Sequence, residues 1–132
     1  MLFNFFKKGK KIYSIIYNLC PRCHSSKFWP SNNPYKNIII KNKGDIGLCK
    51  NCKLKFEMEP GFWFGAMYIS YALSILISIL IWFFLNYFFS KIDISYQISV
   101  IAVVLLFLSP VTYFLSRLMW INIFVKYDKK YK

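Results

Sequence analysis

The chain has 132 residues, 57% of them apolar and 21% aromatic, and 18 Lys/Arg against five Asp/Glu give a formal net charge of +13. This is not the composition of one water-soluble domain, and it is unevenly placed, because twelve of the basic residues precede Pro60 while the long uncharged runs follow it. Such a charge suits nucleic acid or anionic lipid, but 18 Ile and 16 Lys against three Ala carry the drift of an A/T-rich coding sequence, so position says more than the total.

Residues 1–19 set Phe3, Phe6, Ile12, Ile15, Ile16 and Leu19 among Lys7, Lys8, Lys10 and Lys11. They read either as a helix lying in a bilayer interface or as a frayed basic arm. The apolar start precedes the basic stretch and no small-residue cleavage site follows, so no secretory leader is expected and the mature chain is expected to begin near Met1. Leu19 is too bulky for Cys20 to be a lipid-attachment cysteine.

Residues 20–58 form the next unit. All four cysteines fall into two CxxC pairs, Cys20/Cys23 and Cys49/Cys52, separated by 25 residues. Two residues between thiolates let both sulfurs turn toward one ion, and two such turns complete the tetrahedral shell that zinc prefers. A closed four-sulfur shell leaves no ligand position for water, so a structural Zn2+ is expected. A segment this short buries too little apolar surface to fold alone, and zinc makes up the deficit. Lys36–Lys43 and Leu54–Phe56 read as strands of a zinc-ribbon-like β head, with Asn32-Asn33-Pro34 and Gly44-Asp45 as turns. Competing readings are disulfides, disfavoured on a reducing side of the membrane, a thioredoxin-like Cys-Pro-x-Cys pair, and a thiolate cluster for Cu(I) or iron–sulfur. His24 beside a complete ligand set reads as a bystander.

Residues 59–125 read as a hairpin of two transmembrane helices, with 126–132 as a basic tail. Phe62–Ser90 is 29 residues without a charge and Ile94–Ser116 is 23, against the ~20 needed to cross a bilayer. The spans are expected at about 62–89 and 95–116, antiparallel across a tight turn. Twelve basic residues in 1–60 and five from Arg117 onward, against one in the connecting loop, place both termini in the cytoplasm. Trp63 and Trp120 would then mark one interface, and Tyr87 and Tyr96 the other. Close packing in lipid needs small residues. Ala66, Ser70, Ser74 and Ser78 make one stripe after the GxxxG pair Gly61/Gly65, and Ser95, Ser99, Ala102, Ser109 and Ser116 make another; the two stripes are expected to face each other. Pro110 is expected to kink the second helix.

Glu59-Pro60 reads as a helix start, with proline at the first helical position. A sharper reading gathers Glu57, Glu59, Tyr68, Tyr71 and Arg117 into a polar cluster at the membrane edge, for a partner helix, a haem propionate or a lipid head group.

Cys20-Pro-Arg-Cys-His24, Asn33-Pro-Tyr35, the Cys49/Cys52 pair, Glu57–Tyr71 (EMEPGFWFGAMYISY), Ser116-Arg117, Trp120 and Phe124–Asp128 together resemble the bacterial family called domain of unknown function 983. The resemblance covers nearly the whole chain and implies a small two-span bacterial inner-membrane protein with a zinc-ribbon-like head and no established activity. Some relatives lie beside genes for haem–copper oxidase subunits and assembly factors, which implies respiratory-complex assembly by association alone. The chain departs from the usual knuckle in carrying Lys53 where a glycine would relieve backbone strain.

No nucleophile, base and orienting residue stand together, so a non-catalytic adaptor or assembly factor is expected, with the bilayer and another membrane protein as partners and no small-molecule substrate. The alternative is a thiolate-based metal or redox handler. A tethered nucleic-acid binder is disfavoured, because only Phe28, Trp29, Tyr35 and Phe56 interleave the basic residues of the head.

Overall fold

The computed structural model describes residues 9–39, 47–89 and 91–131. Four α-helices follow in order, α1 (Lys11–Ile16), α2 (Pro34–Ile39), α3 (Phe64–Phe88) and α4 (Ile94–Phe124), before a 3₁₀ turn at Lys129–Tyr131.

Helices α3 and α4, of 25 and 31 residues, are about 38 and 46 Å long at the α-helical rise, both more than a hydrocarbon core of ~30 Å. They pair side by side across a short connection. Within the most apolar eighteen-residue stretch of each, only 6% and 11% of residues are buried in the protein. A core helix of a water-soluble protein would be mostly covered. Both helices are long and apolar enough to cross a membrane.

Their ends differ from the expected ones. Helix α3 starts at Phe64 rather than at Pro60, because Gly61 takes φ +82° and so interrupts any helix propagating from the proline. Residues 59–63 instead form turns in which the Phe62 N–H donates to Glu59 O and the Phe64 N–H to Gly61 O. Helix α4 runs past Ser116 to Phe124, where the head packs on it. It is continuous through Pro110. Proline cannot donate to the Leu106 carbonyl, and the Ser109 hydroxyl donates to that oxygen at 2.8 Å. One residue on, the Phe107 carbonyl accepts from Tyr35 Oη at 2.7 Å.

The small residues act unequally. Ala66 is buried, Ser70, Ser74 and Ser78 are half-buried, and the Ser70 hydroxyl donates to Ser116 Oγ across the pair at 2.8 Å. On α4, however, Ser95, Ser99, Ala102 and Ser109 are exposed, and Ser99 only bonds back to the Ser95 carbonyl. The less exposed positions of that stretch are Gln97, Val100, Ile101, Val104, Leu105 and Leu108. The two stripes do not face each other. Small residues on one helix already permit close approach, and large ones opposite fill the space. The GxxxG pair divides likewise. A side chain at Gly65 would strike the Trp120 ring, whereas Gly61 lies outside the helix as a turn residue. Trp120 Nε1 donates to Phe62 O at 2.8 Å, which holds the indole over Gly65.

The head contains no β-strand among the described residues, so the expected β ribbon is not its architecture. It has two isolated antiparallel bridges, Leu19 with Lys27 and Leu48 with Lys55. The strand expected at Lys36–Lys43 begins instead inside α2, and its remainder, with the Gly44-Asp45 turn, lies outside the described residues. Asn33 explains the change. Its side-chain oxygen accepts the Tyr35 N–H at 3.0 Å, an N-cap, and Pro34 fills the first helical position. Leu54–Phe56 contributes a single bridge because the backbone there is committed to the cysteine turn.

Head and α4 share one core. Phe28, Trp29 and Phe56 are buried with Phe114, Leu118, Ile121 and Val125. Trp29 Nε1 donates to Phe114 O at 3.3 Å, and its ring stacks on Phe114 at 5.7 Å. Helix α1 docks on the same end of α4: Asn122 Nδ2 donates to the buried Ser14 hydroxyl at 3.3 Å, and Lys11 Nζ donates to Ile123 O at 3.2 Å. The described part of the amino-terminal arm is thus a short helix packed on protein; residues 1–8 lie outside the described ones.

Candidate metal centre

Each cysteine pair sits in a backbone turn of the same design. In the first, the Cys20 N–H donates to Ser26 O at 2.8 Å and the His24 N–H donates to Cys20 O at 3.0 Å. In the second, the Cys49 N–H donates to Leu54 O at 2.9 Å and the Lys53 N–H donates to Cys49 O at 2.9 Å. Both turns close through a residue in the left-handed region, His24 at φ 51° and Lys53 at φ 53°. Neither is glycine, so both carry steric strain that the rest of the turn must hold.

The turns face each other. Cys20 Sγ lies 3.7 Å from Cys52 Sγ and Cys23 Sγ lies 3.7 Å from Cys49 Sγ, with all four sulfurs within 4.8 Å of one another. A regular tetrahedron with metal–sulfur bonds of ~2.3 Å has edges of about 3.8 Å. The contacts cross between turns, are far longer than an S–S bond of ~2.05 Å, and leave all four cysteines free. The four thiols can therefore hold one metal ion.

The surroundings fit that use. Burial raises the Cys20 thiol far above its ordinary value and raises Cys52 to about 11, against weaker lowering by backbone N–H groups. Burial also pushes Cys23 upward, but hydrogen bonds from the Ser25 and Ser26 backbone and the Asn51 side chain outweigh it, leaving the thiol near 6. Cys23 is ready to be a thiolate, while burial holds Cys20 and Cys52 neutral until a cation compensates their charge. Ser26 Oγ lies 2.7 Å from Cys49 Sγ, beside the cluster.

Described residues from near both ends of the chain cover the site. The Tyr127 ring lies 4.5 Å from the His24 imidazole, tilted by 41°, and the Asp128 N–H donates to Arg22 O at 3.0 Å. Tyr131 places its ring 4.1 Å from the Arg22 guanidinium, and its carbonyl accepts from Asn51 Nδ2 at 2.9 Å. From the other end, the Gly9 N–H donates to His24 Nδ1 at 3.4 Å, and Tyr13 stacks on the imidazole at 5.7 Å. His24 is thus a packing residue between two tyrosines, and the sulfur cluster is complete without it. The tail beyond Val125, read from sequence only as basic, is a strap.

The expected polar cluster does not assemble. Tyr68 and Tyr71 are 78% and 69% exposed and line an apolar groove with Phe64 and Met67. Glu57 and Glu59 are exposed. Arg117 is half-buried instead between rings, 4.3 Å from Tyr113 and 5.0 Å from Trp63, and Glu57 acts on it only through space.

Sequence reading missed the residues that hold the two turns together. Phe28 and Phe56 are buried ring against ring at 4.7 Å, and each donates its N–H to the residue flanking its own turn, Asn18 and Gly47. The signal was an internal repeat: Leu19-Cys-Pro-Arg-Cys…Lys27-Phe28 recurs as Leu48-Cys-Lys-Asn-Cys…Lys55-Phe56. Asn18, φ 54° and buried, had no such signal; its amide brackets Trp29, accepting from the Trp29 N–H at 2.9 Å and donating to the Trp29 carbonyl at 3.1 Å. No family model, no curated protein and no solved structure matches the chain.

Proposed function

We propose that this chain is a non-catalytic two-span protein of a bacterial inner membrane, of the domain-of-unknown-function-983 kind, whose cytosolic head is built on a structural zinc ion and serves as an adaptor or assembly factor for another membrane complex. The reading rests on one observation above all: four buried sulfurs within 4.8 Å of one another, two pairs of them 3.7 Å apart, covered by residues from near both ends of the chain and packed on α4. A shell that closed leaves no position for substrate or water, which favours structure over catalysis. The charge distribution supports cytosolic termini, with the single loop cation Lys91 on the far side. A rigid surface fixed directly to a membrane helix suits docking.

The test is to purify the full chain in detergent, measure metal content, and repeat with Cys20→Ser and Cys52→Ser. One zinc per chain, lost in both variants together with protease resistance of residues 20–56, is expected. A metal-free but well-ordered wild-type head would overturn the reading. Bound copper, or thiols that cycle readily with mild oxidants, would move it to a metal or redox handler. Affinity capture from native membranes then identifies the complex, and an amino terminus labelled from outside the cell would reverse the topology.

A further inference from the structure

We propose that a groove at the start of α3 binds an anionic phospholipid, with its phosphate against the Arg117 guanidinium and an acyl chain along Phe64, Met67, Tyr68 and Tyr71.

Two cavities form the groove. One, of about 280 Å³, is lined by Gly61, Trp63, Phe64, Met67 and Arg117; the next, of about 390 Å³, is lined by Phe64, Met67, Tyr68 and Tyr71. Phe64 and Met67 belong to both, so the polar end runs directly into the apolar one. The order matches a lipid. Arg117 lies 117 − 94 = 23 residues after the start of α4, about 35 Å along the helix, toward the end on which the head packs. The Ser70–Ser116 hydrogen bond fixes the register of the helices and sets Arg117 level with about residue 69 of α3, so the groove runs from Phe64 on the head side of that level to Tyr71 on the opposite side.

The chemistry of Arg117 narrows the occupant. Rings of Tyr113 and Trp63 lie against its guanidinium at 4.3 and 5.0 Å, an arrangement that steadies the plane and leaves its N–H edge for an acceptor. No carboxylate satisfies that edge among the described residues; Glu57 acts only through space. A planar fork of donors matches two phosphate oxygens. A peptide laid in the same groove would bring amides against carbon with no partners for them, an unfavourable desolvation that an acyl chain avoids. A net charge of +13, concentrated before Pro60, enriches anionic lipid nearby.

The proposal rests on the reading that α3 and α4 cross a bilayer, and the experiment separates the two. The full chain is reconstituted in phosphatidylcholine vesicles with and without phosphatidylglycerol, then released gently and weighed by native mass spectrometry. Wild type is expected to retain phosphatidylglycerol, Arg117→Gln to retain about fivefold less, and Arg117→Lys an intermediate amount. Met67→Asn, which leaves the arginine in place, should also weaken retention, whereas Lys50→Gln should match wild type. Resistance to alkaline extraction reports insertion independently: if it is lost in wild type, the hairpin reading fails. With insertion intact, equal retention by wild type and Arg117→Gln overturns the groove alone. Displacement of the lipid by millimolar inorganic phosphate would also overturn it, because the site would then read phosphate without a chain.

Discussion

The head and the hairpin reach order by opposite means. In the hairpin, two helices satisfy their own backbone and need only a few small residues to approach, so Gly65 beneath Trp120 and one Ser70–Ser116 bond carry much of the specificity. In the head, the described backbone forms no strand, and four sulfurs, two phenylalanines and a borrowed face of α4 hold turns that have little regular structure of their own. The hairpin is local and redundant; the head is non-local and depends on a few groups. Losing one group should therefore be severe in the head and mild in the hairpin.

The largest contrast should follow metal removal. Structural zinc contributes on the order of 10 kcal/mol or more at neutral pH, so a strong chelator is expected to make residues 20–56 protease-sensitive while far-UV circular dichroism keeps the α3/α4 signal. The pH dependence has a definite sign. At pH 7 Cys20 and Cys52 are held neutral, Cys52 near 11, whereas Cys23, near 6, is already ionised. Binding should release protons, those of Cys20 and Cys52 among them, so affinity should rise with pH, and it should fall more steeply below about 6 where Cys23 also binds a proton. Calorimetry in buffers of different ionisation enthalpy counts those protons.

Next comes Phe56→Ala, which empties the ring contact with Phe28 between the turns. A loss of about 3–5 kcal/mol is expected in the head, read as a lower chelator concentration for half-loss of metal, with helix content unchanged. Gly65→Ala tests the close approach of Trp120 to α3 in the hairpin. Trp120 must move, at about 1–3 kcal/mol, visible as a shift in tryptophan emission and a lower melting temperature in detergent.

Lys53→Gly runs in the favourable direction. At φ 53° the lysine is strained, and glycine there should stabilise the loaded head by about 1 kcal/mol, measured as slower metal transfer to a chelator. Smallest is Ser70→Ala, which removes the interhelical bond to Ser116. Polar pairs inside membranes average about 0.6 kcal/mol, so a loss above about 2 kcal/mol would mean that the hairpin is less redundant than its geometry indicates.

Two helices long and apolar enough to cross a membrane, the sulfur quartet and the small-residue face of α3 were legible because each depends on spacing along the chain: absence of charge over a bilayer's length, two-residue turns between thiols, small residues one helical turn apart. The β ribbon was misread at Pro34–Ile39, where β-branched residues suggested a strand but Asn33 and Pro34 built a helix start. The small stripe of α4 was misread because periodicity shows which residues share a face and not which face meets a neighbour. Ser99, Ala102 and Ser109 share a face, and it points away from the protein.

Composition and spacing alone determined that this chain carries two long apolar helices and one four-thiol centre. Only tertiary structure decided that the centre is joined to α4, that Gly9 and Tyr13 from one end and Tyr127 and Tyr131 from the other close over it, and that Arg117 stacks between rings instead of joining a carboxylate cluster. The physical reason is range. Hydropathy and ligand spacing act over a few residues, whereas the strap and the docking surface pair groups more than 100 residues apart, such as Ser14 with Asn122 and Lys11 with Ile123, whose meeting is set by how α4 returns to the head.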